Sequence, residues 1–535
     1  MASTALLFKT AAVLDVISIV GHTLMGFKTV HPALNSIPTA TSRDNNVGRV
    51  GAQGTWNYFN ASLLALAALN WQWARTGGPQ TTEETIALAA TTIMGFVSSV
   101  GSDAIKKAMK PIAKGMTDWY HGYRVGDVPG NLPDPYHWWQ CGAMFGSLID
   151  YWHYTGDDQY NDWVQQGMIH QMGDNADYMP ANQSKSLGND DQGFWGMAAM
   201  SAAESKFPDP PEGQPGWLAL AQAVYTTQSL RWDPSTCGGG LRWQIYSFNA
   251  GYTYKNTITQ GCFFNIASRL ARYTGNSTYA ESAEKAWTWI HDLGLINAEY
   301  HFYDGSDSTI NCTRFDRTQW TYNAGIFLHG AATMWNVTAE ESGDQENVWK
   351  ERVTGIITGL SVFFATDSKI MVETACETGG TCNIDQRTFK AYLARWMAAA
   401  IKVAPWSADL MAPYLEASRE AAAAACNDKG DGTAECSLRW TQGGFDGSSS
   451  VGLGENMAAL EMIGTALVDV IPGPVTNSTG GTSEGDPDAG LASPFTPTED
   501  VDPVGTADRV GAVIITILVM GGILGGAYWM LTSEL

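Results

Sequence analysis

The sequence is short of charged residues, and of positively charged ones above all. Its 535 residues include 31 Lys and Arg against 54 Asp and Glu, which leaves a net charge of −23 at pH 7. A surface of this sign repels a phosphate backbone, so nucleic acid is not expected as a partner. Aromatic residues, by contrast, make up 11% of the chain and include 21 Trp. Disordered chains are poor in aromatic residues, so most of this chain is predicted to fold.

The eight cysteines include no Cys-x-x-Cys pair and no His at zinc spacing, so no metal site is predicted. The glycine run 238–240 lacks the strand and the Lys-Ser or Lys-Thr of a phosphate loop, and no cofactor is predicted. Two close pairs, Cys376 with Cys382 and Cys426 with Cys436, lie in Gly- and Thr-rich loops where a short disulfide can close. The pairing of the other four cysteines stays open.

Six Asn-x-Ser/Thr sequons agree with the oxidising compartment that these cysteines suggest. Together the two features predict a glycosylated protein of the secretory pathway. The sequons are at Asn60, Asn182, Asn276, Asn311, Asn336 and Asn477.

The C-terminal sequence predicts attachment to the cell surface. Residues 510–531 hold no charge and are long enough to span a bilayer, and the last segment, 510–535, ends in TSEL. The preceding residues 473–509 are rich in Gly, Pro, Ser, Thr and acids, which predicts a solvated, disordered linker. Small residues before an apolar terminus favour a glycosylphosphatidylinositol (GPI) attachment signal at the plasma membrane. A true membrane span is the alternative, although TSEL lacks the positive residues that usually follow one.

The N-terminal residues 1–100 form an extension with no clean export signal. Lys9 and Asp15 interrupt the first apolar run, and a second apolar run covers 86–100. Either run is a candidate signal. No function is assigned to this extension.

From 101 to 472 the chain is predicted to be helical, with apolar runs of 3.6-residue period separated by Gly, Pro, Asn and Asp. Two stretches, 145–164 and 266–289, share the order helix, Tyr-Thr-Gly, polar residue, helix, which is typical of a helical hairpin. Some helices are apolar or small all round and others amphipathic, which predicts an inner and an outer layer. The fold class is therefore all-α, an (α/α)₆ toroid of six hairpins. The twelve predicted helices lie near 102–121, 138–154, 157–172, 190–206, 215–231, 256–273, 277–293, 319–336, 344–365, 385–404, 408–425 and 452–470.

An acid pair, Asp190 and Asp191, begins one of the inner helices. Loops entering the inner helices converge at one end of such a toroid, where a cleft is expected. One carboxylate suffices to cap a helix, and capping is the ordinary explanation. A second acid beside the first meets like-charge repulsion, which raises one pKa and lets a carboxyl serve as an acid.

Long segments of the chain resemble the fungal cell-wall members of glycoside hydrolase family 76, known as mannan endo-1,6-α-mannosidases. The matching segments are YHWWQCGAMFGSLIDYWHYTGD, DYMPANQSKSLGNDDQGFWGMAAMSAAE, WDPSTCGGGLRWQI and QWTYNAGIFLHGAA. The resemblance implies an (α/α)₆ barrel, in agreement with the helix pattern. The family's signature is a paired Asp, which stands here in GNDDQ.

This resemblance implies a retaining double displacement with Asp190 as nucleophile and Asp191 as general acid and then base. It also implies a cleft of aromatic platforms and polar sugar contacts, although any single Trp is more often buried in a core. The substrate-binding candidates are Trp138, Trp139, Gln192, Trp243, Trp320, Tyr322, Asn323, Asp385 and Gln386.

Two outcomes of the reaction stay open at this point. The implied donor is α-1,6-mannan or the mannose core of a GPI glycan, and a glycosyl-enzyme can react with water or with a wall β-glucan acceptor. The predicted membrane anchor favours glycosyl transfer in cell-wall biogenesis over degradation of free mannan, because a tethered enzyme meets its substrates at the cell surface. A catalytically silent mannan-binding wall protein is a further alternative, which the retained acid pair disfavours.

Overall fold

The computed structural model describes residues 102–342, 347–447 and 450–491, and four positions near the C-terminus. Twelve α-helices occur within 102–491. We number them α1 (102–117), α2 (Trp138–Thr155), α3 (Asn161–Gln171), α4 (Asn189–Ser205), α5 (Trp217–Leu230), α6 (Thr257–Thr274), α7 (Ser277–Leu293), α8 (Thr321–Ser342), α9 (Val348–Gly359), α10 (Phe389–Val403), α11 (Ala408–Ala424) and α12 (Leu453–Gly464).

The even-numbered helices form a closed inner ring. Each packs against the next, from α2 through α4, α6, α8 and α10 to α12, and α12 packs back against α2. The odd-numbered helices alternate with them along the chain and form the outer layer. The predicted (α/α)₆ barrel is therefore confirmed, and all twelve helices overlap their predicted positions.

Burial explains which helices are inside. Every residue of α12 is buried, as are nearly all residues of α6, and most of these side chains are apolar or small. Helix α7 instead buries Tyr279, Ala283, Ala286 and Ile290, which recur every three to four residues along one face. A single apolar stripe suits the outer layer, where the opposite face meets water.

The two Tyr-Thr-Gly repeats end inner helices in the same way. Gly156 after α2 and Gly275 after α6 adopt left-handed conformations, with φ of 78° and 73°. This is the usual conformation at a helix C-terminus, and glycine adopts it without strain. Asn276 then caps α7 by accepting the N–H of Thr278 at 3.0 Å, an interaction worth about 1 kcal/mol.

In the described part of the chain, the short strands lie in segments that lead into inner helices, at one end of the barrel. Strands β1 (Tyr254–Asn256), β2 (Gly305–Asp307) and β3 (Phe315–Asp316) form an antiparallel sheet in that order. A second pair joins β4 (Cys426–Asp428) to β5 (Ala434–Cys436). The long segments that enter α2, α4, α6, α8, α10 and α12 all lie at this end, and we call it the loop end.

Buried ion pairs link the inner helices toward the opposite end of the barrel. Arg269 on α6 contacts Glu204 on α4 at 2.6 Å, and Arg395 on α10 contacts Glu461 on α12 at 2.6 Å and Asp150 on α2 at 3.0 Å. Each bridge joins neighbouring inner helices or spans the ring. Removing one partner of such a buried pair would leave an uncompensated charge, which is strongly destabilising.

Three disulfides are present among the described residues. Both predicted short pairs are bonded, Cys376 with Cys382 and Cys426 with Cys436. The third disulfide joins Cys237 to Cys312 across 75 residues. The remaining two cysteines, Cys141 and Cys262, are free and buried.

The linker predicted to begin at 473 begins later in the structure. Within 473–491, the Asn477 N–H donates to Tyr273 at 3.0 Å, the Ser483 hydroxyl accepts from Leu218 at 3.0 Å, and the Asp486 N–H donates to a glutamine on α5 at 2.7 Å. Most of 473–491 is exposed, as predicted, but the predicted disorder is wrong there, because these hydrogen bonds hold the segment on the barrel surface.

Other sequence predictions fall on residues outside this description. These are the extension 1–100 with Asn60, the rest of the linker, and almost all of the apolar segment 510–535. Among the residues that are described, no helix is long and apolar enough to cross a bilayer.

We expect Asn336 to remain unglycosylated, unlike the exposed sequons at Asn182, Asn276 and Asn311. Asn336 lies within α8, where its amide nitrogen donates to Val403 at 3.0 Å and its oxygen accepts from an arginine on α6 at 2.9 Å. A glycan on this nitrogen would separate α8 from α10. Peptide mapping of the secreted protein, with and without deglycosylation, measures the occupancy. A glycan found at Asn336 in folded protein would contradict this placement.

Candidate active site

A cleft of about 240 Å³ opens at the loop end of the barrel. Its lining combines carboxylates, amides and aromatic rings from the N-termini of inner helices and from the loops before them. This composition suits a ligand rich in hydroxyl groups, since carboxylates and amides bond hydroxyls and rings pack on apolar sugar faces. The lining residues are Trp139, Asp190, Asp191, Phe194, Trp243, Tyr254, Asn256, Asp304, Trp320, Tyr322, Asn383, Asp385, Gln386 and Phe389.

The acid pair lies in the first turn of α4, at the floor of this cleft. The N-cap residue Gly188 is extended, with φ −94° and ψ 160°, and its N–H donates to Asp191 Oδ2 at 2.7 Å. The Asp191 N–H donates in turn to Asp190 Oδ1 at 3.1 Å. Both carboxylates therefore meet the positive end of the helix dipole, which stabilises negative charge there.

Only glycine fits at position 188, because a side chain there would collide with the acid pair. A Cβ on Gly188 would lie 2.2 Å from Asp190 Oδ1 and 3.1 Å from Asp191 Oδ2. The glycine also pairs with Gln244 in a short antiparallel bridge, next to the bond from the Asn189 N–H to the Trp243 carbonyl at 2.8 Å. The acid pair is thus fixed between α4 and the loop that carries Trp243.

Burial changes the proton affinity of both acids. Each keeps part of its surface open to the cleft, but the surrounding protein withdraws the pair from bulk water. This burial, together with the smaller effect of the Asp385 charge, raises the pKa of Asp191 to about 7, against the hydrogen bond from Gly188. Burial and the charge of Asp191 raise the pKa of Asp190 well above its usual range, opposed by hydrogen bonds from the Asp191 N–H and the Trp243 side chain. Two adjacent carboxyls resist double ionisation, so the pair retains a proton near neutral pH.

Two further carboxylates face the pair across the cleft. Asp385 accepts the indole N–H of Trp139 at 3.2 Å and lies 3.9 Å from His137. Asp304 accepts the hydroxyl of Tyr254 at 2.8 Å, and burial raises its pKa to about 6. The cleft therefore holds more negative charge than a single acid pair supplies.

Aromatic rings form the walls between these acids. Tyr322 on α8 stacks on Phe389 on α10, with ring centroids 3.8 Å apart and planes 8° apart. Trp139 packs on Phe194 at 4.8 Å. Trp320 packs against the cluster that contains the Cys376–Cys382 disulfide. The disulfide thereby supports one wall of the cleft.

Six of the nine predicted sugar contacts line the cleft, and three do not. The six are Trp139, Trp243, Trp320, Tyr322, Asp385 and Gln386. Trp138 is buried, stacks on Trp195 at 5.1 Å and donates to Gln171 at 2.8 Å. Helical rotation of 100° per residue turns Trp138 to the outer layer when Trp139 faces the cleft. The prediction of a direct contact is therefore wrong for Trp138.

Gln192 and Asn323 are also fully buried outside the cleft lining. Gln192 donates to the Asp177 carbonyl at 2.7 Å behind the acid pair. Asn323 lies behind the wall, with its amide nitrogen 3.5 Å from Asp304. Both support the site from behind, so the prediction of direct contact is wrong for them as well.

Sequence reasoning missed six residues that line the cleft. Three of them lie within a few residues of predicted site residues, and the other three lie in or next to strands β1 and β2. Asp304 had one usable feature, an acid between aromatic residues and a glycine in FYDGSD. The missed residues are Phe194, Tyr254, Asn256, Asp304, Asn383 and Phe389.

The described residues offer no metal centre. They contain no group of three or more His, Cys, Asp or Glu side chains arranged to hold an ion. The carboxyl groups of the cleft can transfer protons and act as nucleophiles.

The barrel and this cleft together define a glycoside hydrolase. The sequence model of Glycosyl hydrolase family 76 matches residues 104–478, and the chain belongs to that family. The sequence resemblance to the family is thereby confirmed.

Named relatives agree with this assignment. The chain is 43% identical to mannan endo-1,6-alpha-mannosidase DCW1 of Eremothecium gossypii, over 80% of this chain and 93% of that protein. It is 42% identical to mannan endo-1,6-alpha-mannosidase DFG5 of Saccharomyces cerevisiae, over 81% of this chain and 94% of that protein.

Solved structures share the fold. Dfg5 from Chaetomium thermophilum, crystallised in complex with glucosamine, is 46% identical with a TM-score of 0.69, covering 73% of this chain and 97% of that one. The α-1,6-mannanase GH76A of Salegentibacter sp. HEL1_6, an inactive variant in complex with α-1,6-mannotriose, is 16% identical with a TM-score of 0.53, covering 68% and 99%. This second similarity extends to the fold alone.

Replacing Gly188 by Ala tests whether the N-cap fixes the acid pair. The added Cβ would displace Asp190 Oδ1, and a displacement of about 1 Å at reacting atoms costs about 10²-fold in rate. We expect glycosidase turnover to fall by that order. Gly444→Ala is the control, because a Cβ there meets nothing within 4 Å. Equal turnover in the two variants, both folded by circular dichroism, would contradict the assigned role of the glycine.

Proposed function

We propose that this chain is a retaining α-1,6-mannosidase that acts on mannan or on the mannose core of GPI glycans at the fungal cell surface. We further propose that it transfers the cleaved unit to wall β-glucan, and that its segment 510–535 anchors it at the plasma membrane. The observation that carries the proposal is the acid pair at the N-terminus of α4, inside an aromatic cleft. The relatives that are 42–43% identical are named mannan endo-1,6-alpha-mannosidases, which supports the linkage.

The proposed reaction has two displacements. In the first, Asp190 attacks the anomeric carbon of a mannosyl unit while Asp191 gives its proton to the departing glycosidic oxygen. In the second, Asp191 takes a proton from water or from a sugar hydroxyl, whose oxygen displaces Asp190 from the anomeric carbon. Both steps invert the anomeric centre, so the product retains the α configuration.

The division of roles between the two acids follows the family resemblance. Asp190 accepts from the Asp191 N–H and from the Trp243 side chain, and both bonds oppose the burial and the Asp191 charge that raise its pKa. Asp191 has a pKa raised to about 7, which suits a group that alternates between acid and base near neutral pH. Its Oδ2 is held by Gly188, so Oδ1 is the oxygen available to carry the proton.

Cleft composition supports a donor that includes an amino sugar. Asp304 and Asp385 add negative charge beyond the acid pair, and a protonated amine complements such charge. The Dfg5 of Chaetomium thermophilum was crystallised with glucosamine, an amino sugar that GPI glycans contain and plain mannan lacks. These two observations favour the GPI glycan as donor.

Mass spectrometry of the products tests the activity and its acceptor. We expect the purified protein, given a GPI-type α-1,6-mannosyl donor and a β-glucan oligosaccharide, to form an acceptor-linked product that Asp190→Asn abolishes. Shortened free mannosides alone would make the chain a hydrolytic mannanase. Bound ligand without any turnover would make it a silent binding protein and contradict the proposal.

The dependence of activity on pH provides a second test. Asp191 must be protonated as the acid, so kcat/KM should fall as the pH rises through about 7. The charge of Asp385 helps to raise that pKa. Removing it with Asp385→Asn should therefore lower the pKa and move the alkaline limb to lower pH.

Asp304→Asn is the matched control for this measurement. It removes another cleft carboxylate, but one that does not contribute to the raised pKa of Asp191. Its alkaline limb should stay where the unmodified protein has it, whatever happens to KM. A limb that moves equally in both variants, or in neither, would contradict the assignment of Asp191 as the acid.

A further inference from the structure

A buried arginine lies directly behind the acid pair. Arg231 follows α5 and is only 8% exposed. Its Nε donates to Asn189 Oδ1 at 2.8 Å, and its Nη2 donates to Gln192 Oε1. Asn189 precedes Asp190 and Gln192 follows Asp191, so one guanidinium holds both flanks of the pair. Arg231 is not among the residues that line the cleft.

The remaining polar groups of Asn189 are also occupied. Its side-chain amide donates to the Arg242 carbonyl at 2.8 Å, and its backbone N–H donates to the Trp243 carbonyl at 2.8 Å. Its own carbonyl accepts from Gln228 on α5 at 2.7 Å. The residue before the nucleophile candidate therefore has no freedom to rotate without breaking buried hydrogen bonds.

Gln192 is held from the other side. Its amide nitrogen donates to the Asp177 carbonyl at 2.7 Å and to Thr227 Oγ1 at 3.0 Å. These bonds tie the first turn of α4 to α5 and to the loop before α4. We call the three residues Asn189, Gln192 and Arg231 the brace.

Burying the charged guanidinium of Arg231 costs desolvation free energy. This cost indicates that the geometry of the guanidinium is important at this position. Burial lowers the pKa of Arg231 to about 10, and the charge of the buried Asp177 offsets part of that cost. A neutral donor would avoid the desolvation penalty. Arginine alone offers a rigid planar fork that reaches two acceptors at fixed spacing, which lysine cannot reproduce.

We propose that Arg231 is a positioning residue that sets the orientation of the Asp190–Asp191 pair through Asn189 and Gln192. This inference rests on the proposed function, in which the pair carries the reaction. Its action is indirect: the guanidinium fixes the turn, and the turn fixes both carboxylates against the sugar.

The test compares Arg231→Lys with Arg269→Lys. Arg269 is a matched control, since it is also buried, forks onto Glu204 with bonds of 2.6 and 3.0 Å, and lies at the opposite end of the barrel. Both variants should lose thermal stability. Only Arg231→Lys should lose kcat, by about 10²-fold per folded molecule, with KM unchanged, because misaligned acids slow the reaction without altering sugar binding. Equal kcat in the two variants would overturn the proposal.

Gln192→Met provides a second variant should Arg231→Lys fail to fold. It removes one acceptor of the fork at similar volume and leaves Arg231 bonded to Asn189. We expect a smaller loss of kcat, again with KM unchanged. A loss that appears in KM alone would contradict a positioning role.

Crystal structures of these variants separate this proposal from the proposed function. In Arg231→Lys the Asp190 and Asp191 carboxylates should shift relative to α10, whereas in Arg269→Lys they should not. That comparison needs no substrate. Unmoved carboxylates would overturn the brace even in an active enzyme, and absence of α-1,6-mannosyl turnover in the unmodified protein would refute only the proposed function.

Discussion

The hydrogen bond from the Gly188 N–H to Asp191 is the contact on which the cleft depends. This bond caps the N-terminus of α4 and so stabilises the helix. It also orients the Asp191 carboxylate in the cleft. Helix capping and catalytic geometry are therefore one interaction here. Glycine is required because any side chain would occupy the space of Asp190.

The barrel separates stability from chemistry along its axis. At the far end, buried ion pairs such as Arg269 with Glu204 join neighbouring inner helices. At the loop end, burial raises the pKa values of Asp191 and Asp385. Such a division is common where a rigid scaffold carries a strained site.

Local pattern was enough to predict the helices and the acid pair. Helices α6 and α7 differ in whether apolar residues cover all sides or one face, and that difference alone assigned them to the inner and outer layers. The segment GNDDQ indicates a functional role because one acid suffices to cap the helix and a second is left without a capping role. The Cys376–Cys382 and Cys426–Cys436 pairs were within reach of the sequence because each closes a short loop.

What the sequence could not show depends on contacts between distant segments. Trp138 and Trp139 are separated by one residue of helical rotation. That rotation places Trp138 in the core and Trp139 in the cleft lining. The Cys237–Cys312 disulfide spans 75 residues, and its pairing follows only from the fold. Residues 473–491 have the composition of a linker, yet they bond the barrel through backbone groups and the Ser483 hydroxyl, whose partners composition does not reveal.

The central claim, that Asp190 is the nucleophile and Asp191 the acid, is tested most directly by trapping the glycosyl-enzyme. Asp191→Asn, treated with an α-mannosyl fluoride whose leaving group needs no acid, should accumulate a covalent mannosyl ester. Mass spectrometry of its peptides should place one added mannosyl unit on Asp190. Label on any other residue, or none in a variant that still binds the donor, would contradict the account.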